Sequence, residues 1–104
     1  MEYLQQGDVL LIKEALPSGL TTVKKDPVLQ YGEATGHAHR LTSDDFELFE
    51  EPKTKTRYLK LLKPTVLKHE EHDPITLPPD TYRIDIIREV GDMEDEEYIR
   101  RVAD

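Results

Sequence analysis

Thr81-Tyr82-Arg83-Ile84-Asp85-Ile86-Ile87-Arg88-Glu89 is the stretch that decides the fold class. Tyr82, Ile84 and Ile86 alternate with Arg83 and Asp85, and a period of two marks a strand with one face in a core. Ile87 breaks the alternation near its end. Leu77-Pro78-Pro79-Asp80 stands just before it as a strong turn. Asp80 occupies the position where glycine would be commonest, and the tolerance of Asp for left-handed backbone predicts that conformation here.

Outward from this stretch the same pattern repeats. Residues 57–62 and Thr65–Lys68 read as strands separated by Lys63-Pro64, because proline removes a ladder donor and marks a corner. Residues 46–49 read as a short strand closed by Glu51-Pro52, and residues 37–41 and 28–32 as two more. Residues 8–13 form a strand ended by the turn Leu16-Pro17-Ser18-Gly19. Short apolar runs punctuated by Pro, Gly and Asp predict an all-β fold, a small β-barrel or sandwich, with residues 1–104 as a single domain. Residues 92–104 form an acidic tail segment. It fits a short helix capped by Asp92 with Tyr98, Ile99 and Val102 as its apolar stripe, or a last strand over residues 98–102.

Composition narrows the function. The chain has 104 residues, a net charge of −8 and no cysteine, so disulfides and thiolate metal sites are excluded. Residues 1–52 carry four Lys/Arg against ten Asp/Glu, and residues 69–104 carry four against twelve. Between them Lys53, Lys55, Arg57, Lys60, Lys63 and Lys68 form a basic stripe without an acid. General binding to duplex DNA is not expected of so acidic a chain, whereas a local anion can be held by the stripe. The longest apolar run, Val9-Leu10-Leu11-Ile12, is far short of the ~20 residues of a membrane helix. The N-terminus lacks the basic start and apolar stretch of a signal peptide. A cytoplasmic protein with no membrane association is the expectation.

Histidine is confined to two motifs, Gly36-His37-Ala38-His39-Arg40 and His69-Glu70-Glu71-His72-Asp73-Pro74. On a strand, residues two apart share a face, so His37 and His39 are predicted to project side by side. Two close-spaced histidine pairs flanked by carboxylates predict one shared site. His37, His39, His69 and His72, with Glu33 or Glu70 in support, suit a divalent transition metal (Zn, Mn, Fe or Ni). A bound water of lowered pKa would then make the site hydrolytic. Alternatively the histidines act without metal as general acid and base of a phosphodiesterase or ribonuclease, Arg40 and Lys68 holding an RNA phosphate or a small anion. A third alternative is a non-catalytic β interaction module offering a strand edge to a partner.

The same residues carry a resemblance. Gln6-Gly7-Asp8-Val9-Leu10, the run from Gly32 to His39 (Gly-Glu-x-Thr-Gly-His-Ala-His), the run from His69 to Ile75 (His-Glu-Glu-His-x-Pro-Ile), Leu77-Pro78-Pro79-Asp80-Thr81-Tyr82 and the Arg-Arg-Val ending resemble an uncharacterised family of small bacterial and phage-type β proteins. Asp80 departs from a glycine and Ile87 from a glutamine in that pattern. The resemblance implies no activity. A more distant likeness to cupins rests on the His-x-His pair alone, since the second cupin motif is absent.

Overall fold

The computed structural model describes residues 2–32 and 36–87; Glu33 and the tail at 92–104 lie outside them. Ten strands make up the fold: β1 (Tyr3–Gln6), β2 (Val9–Lys13), β3 (Thr21–Thr22), β4 (Val28–Tyr31), β5 (Ala38–Leu41), β6 (Phe46–Glu50), β7 (Arg57–Leu61), β8 (Thr65–Lys68), β9 (Ile75–Leu77) and β10 (Thr81–Ile86). No helix occurs among the described residues. One sheet runs β1-β2-β10-β7-β6-β3 and the other β4-β5-β8-β9. All pairings are antiparallel, and the two sheets pack as a sandwich, so of the two expected architectures the barrel is set aside.

Side-chain alternation explains the packing. Val9, Leu11, Leu48, Leu59, Leu61, Tyr82 and Ile84 from the larger sheet meet Leu29, Leu41, Leu67 and Leu77 from the smaller one in a single core. The run Val9-Leu10-Leu11-Ile12 is buried at every position, because Leu10 and Ile12 join Ile87 in a second cluster. An uninterrupted apolar run is what a strand covered on both faces requires. Arg57, at the end of the inner row of β7, donates from Nη2 to the Leu29 carbonyl of the opposite sheet at 2.6 Å.

Three strands go beyond the sequence reading: β1, the two-residue β3, and β9, which fits between Pro74 and Pro78. Asp80 does not take the left-handed conformation; among described non-glycine residues Lys55 alone has a positive φ, 64°. Asp80 instead turns its carboxylate onto the backbone N–H of Thr81 at 2.8 Å and onto Lys13 at 3.1 Å. Those contacts hold the turn in ordinary backbone geometry.

The β1–β2 hairpin gives the core a polar end. Gln6 pairs with Val9, leaving Gly7-Asp8 as a two-residue loop, and Gly7 has φ +57°. Tight hairpin loops of this length need positive φ at their first central position, which glycine supplies without strain. By the same period of two, Leu4 and Gln6 point inward with Val9 and Leu11. The inner row of an apolar strand therefore ends on an amide.

Candidate functional site

Gln6 is 3% exposed and faces the smaller sheet. Its Nε2 donates to two main-chain carbonyls, Leu67 on β8 at 2.8 Å and Asp73 in the following loop at 2.9 Å. With both amide protons so used, the orientation of the amide is settled, and Oε1 must be the atom that meets His39 Nδ1 at 2.9 Å. His39, on the inner row of β5 with Leu41, is 2% exposed. Its Nδ1 therefore carries the proton, and a neutral ring presents the bare lone pair of Nε2.

That lone pair faces a carboxylate. His39 Nε2 lies 3.1 Å from Asp8 Oδ1. Protonation of the ring would turn the contact into an ion pair, yet the pKa of His39 is pushed down, chiefly by burial and then by the neighbouring His69 and His72, against the opposing pull of Asp8. Two electron-rich atoms thus converge at one end of the core, on a scaffold fixed by main-chain hydrogen bonds.

The other histidines gather around this pair. Ring centres of His39 and His69 are 4.4 Å apart, His69 and His72 4.7 Å, His37 and His69 5.6 Å, and His39 and His72 5.8 Å. The two motifs, some thirty positions apart, meet in one cluster. The histidines are not equivalent within it. His69 is tied to its own turn, its Nδ1 accepting the backbone N–H of Glu71 at 3.0 Å and of His72 at 3.4 Å. His72 is exposed and its ring lies on Gly7: a Cβ there would sit 2.5 Å from His72 Nε2. His37 precedes β5 and stands at the rim, its Nδ1 3.9 Å from Glu71 Oε1.

The supporting residues sort differently from the sequence expectation. Glu70 Oε1 accepts the backbone N–H of Ala38 at 2.7 Å, and this bond holds its carboxyl below the usual range. Its other oxygen is 4.0 Å from Arg40. Glu70 thus fastens the histidine loop to the start of β5. Arg40 and Lys68 are cross-strand partners on the outer face, opposite to His39 by the alternation of β5. Gln6, Gly7 and Asp8 were not assigned to the site by sequence reasoning. The signal was present: Gly-Asp between two short extended runs is a hairpin loop, and the tripeptide stands in the motif that carries the resemblance.

Among the described residues no three His, Asp or Glu side chains already surround a common point; the convergent pair is Asp8 and His39. No helix among those residues is long and apolar enough to cross a membrane. The model of a family described as "Domain of unknown function (DUF8820)" matches residues 5–87, a span that takes in the hairpin and both histidine motifs. No curated protein and no solved structure matches the chain.

Proposed function

Since the chain belongs to the DUF8820 family, a domain of unknown function whose membership brings no activity with it, we propose from the geometry alone that the histidine cluster binds a divalent transition metal. One observation carries the reading: His39 Nε2 and the Asp8 carboxylate lie 3.1 Å apart, with the proton of the neutral ring turned to Gln6 through Nδ1. Donors bonded at ~2.0–2.1 Å to one metal, at right or tetrahedral angles, lie roughly 2.9–3.4 Å from each other. The pair has the spacing of one edge of a coordination shell.

His72 is the natural third donor. It is exposed, and its ring centre is 5.8 Å from that of His39, slightly beyond the roughly 4.5–5.2 Å that two imidazoles at right or tetrahedral angles on one metal require. Mixed imidazole and carboxylate donors suit Zn, Fe, Ni or Mn. The acidic loop around the cluster favours a cation further. Three protein donors leave a position for water, and a metal-bound water of lowered pKa is the hydrolytic chemistry such a site supports.

Titration of untagged, EDTA-stripped full chain with zinc and manganese tests the proposal. The expected result is one equivalent bound, with a melting temperature that rises with metal concentration, as linkage demands. Asp8→Asn preserves shape and removes charge, and His72→Ala alters an exposed side chain; each should weaken binding by about tenfold or more, the scale of losing one charged contact. Absence of any bound metal, or binding indifferent to both substitutions, refutes the assignment.

A further inference from the structure

We propose that the outer face of the larger sheet is a docking surface, and that its occupant is the chain's own acidic segment 92–104, seated along β2. On β2, Val9 and Leu11 point into the core, so Leu10 and Ile12 stand on the opposite face. An apolar side chain on an open sheet face keeps part of its surface in water, yet Leu10 is 0% exposed and Ile12 3%. Their neighbours on that face do not account for this. Gln5 and Asp85 flank Leu10 across the ladder, and Tyr3 and Arg83 flank Ile12. Gln5 and Tyr3 are exposed, and Arg83 and Asp85 are only partly buried. Among the described residues, Ile87 alone joins Leu10 and Ile12 in their cluster.

The roof belongs to the same chain, because these exposures are those of one chain by itself. Other segments lead elsewhere. The connection from β2 to β3 leaves at the far end of β2, where the Glu14 N–H bonds the Thr81 carbonyl. Met1 adjoins Glu2, whose carbonyl accepts from Lys13 at that same end. Residues 33–35 join β4 to β5 in the opposite sheet. The chain that follows Ile87 starts in the right place. The Ile87 N–H donates to the Asp8 carbonyl at 2.8 Å, beside the end of β2 that carries Leu10.

Length and pattern fit as well. Arg88-Glu89-Val90-Gly91 gives room for a reversal, with a glycine before Asp92. As a helix, residues 92–104 would span about 20 Å, against about 17 Å for the residues of β2. Tyr98, Ile99 and Val102 fall on one side of such a helix, and the acids of its first half are left for water. So short a helix is marginal on its own in water. Its apolar stripe needs a surface, and β2 has a surface that needs a cover. A last strand over residues 98–102, added at a sheet edge, would leave Leu10 bare.

The test uses the full chain. Tyr98→Ala, Ile99→Ala and Val102→Ala are made singly and followed by urea unfolding. Alanine is the better helix former, so on a solvated segment none of these changes would lower stability. Seated on β2, at least one should lower the folded-to-unfolded ratio by about tenfold or more, the scale of a truncated buried side chain. Combined with Leu10→Ala, that variant should lose less than the product of the two separate losses, by about threefold or more, because each change removes the other's contact. Ile12→Val, a smaller change with the same sign of coupling expected, takes the place of Leu10→Ala if that variant does not fold. Three tail variants as stable as wild type, or losses that multiply without coupling, overturn the proposal. Sedimentation of the wild type should give a monomer. A dimer that dissociates in the destabilised tail variant makes the occupant the segment of a second copy and overturns the seat within one chain.

Discussion

Replacing Gln6 by leucine tests the logic of the whole site, because one amide makes three contacts across the sandwich. Leucine has nearly the same volume, so the change removes hydrogen bonds without opening a large void. Three partners are left behind: the Leu67 carbonyl, the Asp73 carbonyl and His39 Nδ1–H. The Asp73 carbonyl lies in the loop and is reachable by water, but the bonds to Leu67 and His39 are buried. Leaving a buried polar group unsatisfied costs roughly 1–3 kcal/mol, so two of them give a loss of about 2–6 kcal/mol. Against the roughly 5–15 kcal/mol total stability of a domain, that is a large share. For a chain of about 100 residues it corresponds to a fall in Tm of about 10 °C or more. Urea unfolding followed by circular dichroism is the assay, with the slope m expected to stay constant while the midpoint moves down. Gln6→Glu keeps an acceptor for His39 but sets a carboxylate against two carbonyl oxygens, and should be at least as damaging near neutral pH. A Gln6→Leu protein within about 1 kcal/mol of wild type would refute the claim that this amide clasps the sheets and sets the tautomer of His39.

Two further outcomes concern the same corner of the molecule. Gly7→Ala places a Cβ at φ +57° and 2.5 Å from His72 Nε2, so it should cost about 1–2 kcal/mol of backbone strain and displace His72; repeating it in a His72→Ala background isolates the ring contact as a coupling term, and unchanged stability in both backgrounds would contradict the geometry. Because the pKa of His39 is lowered on folding, the unfolded chain binds the proton more readily; the stabilisation is therefore complete above the unfolded value near 6.5 and is lost as pH falls through the lower folded value. The Tm of metal-free protein should drop across that window, and a flat profile, or one that persists in His39→Gln, would assign the effect elsewhere.

Much of the fold was legible because burial on one face writes itself as alternation. Tyr82, Ile84 and Ile86 announce β10, and the run Val9 to Ile12 announces β2. The hairpin partner β1 was not legible in the same way. Its inward positions are Leu4 and Gln6, and a buried glutamine looks like a solvated one until its partners, at positions 39, 67 and 73, are brought up by the fold. The histidines were legible as a group through their confinement to two motifs. Their separate roles were not, because each tautomer is set by contacts that the histidine spacing does not encode. For the same reason Glu70, a carboxylate suited by type to a metal, spends one oxygen on the backbone of β5.

The two-residue loop at Gly7-Asp8 makes this arrangement all-or-nothing with respect to register. Because side chains on a strand swap faces with every step, a single residue inserted between Gln6 and Val9, with the loop held at two residues, would send the amide outward to water. The same slip would carry the Asp8 carboxylate away from His39 and seat a side chain under the ring of His72. One hairpin thus sets the spacing of three components at once, and point substitutions can tune the cluster while a change of length would dismantle it.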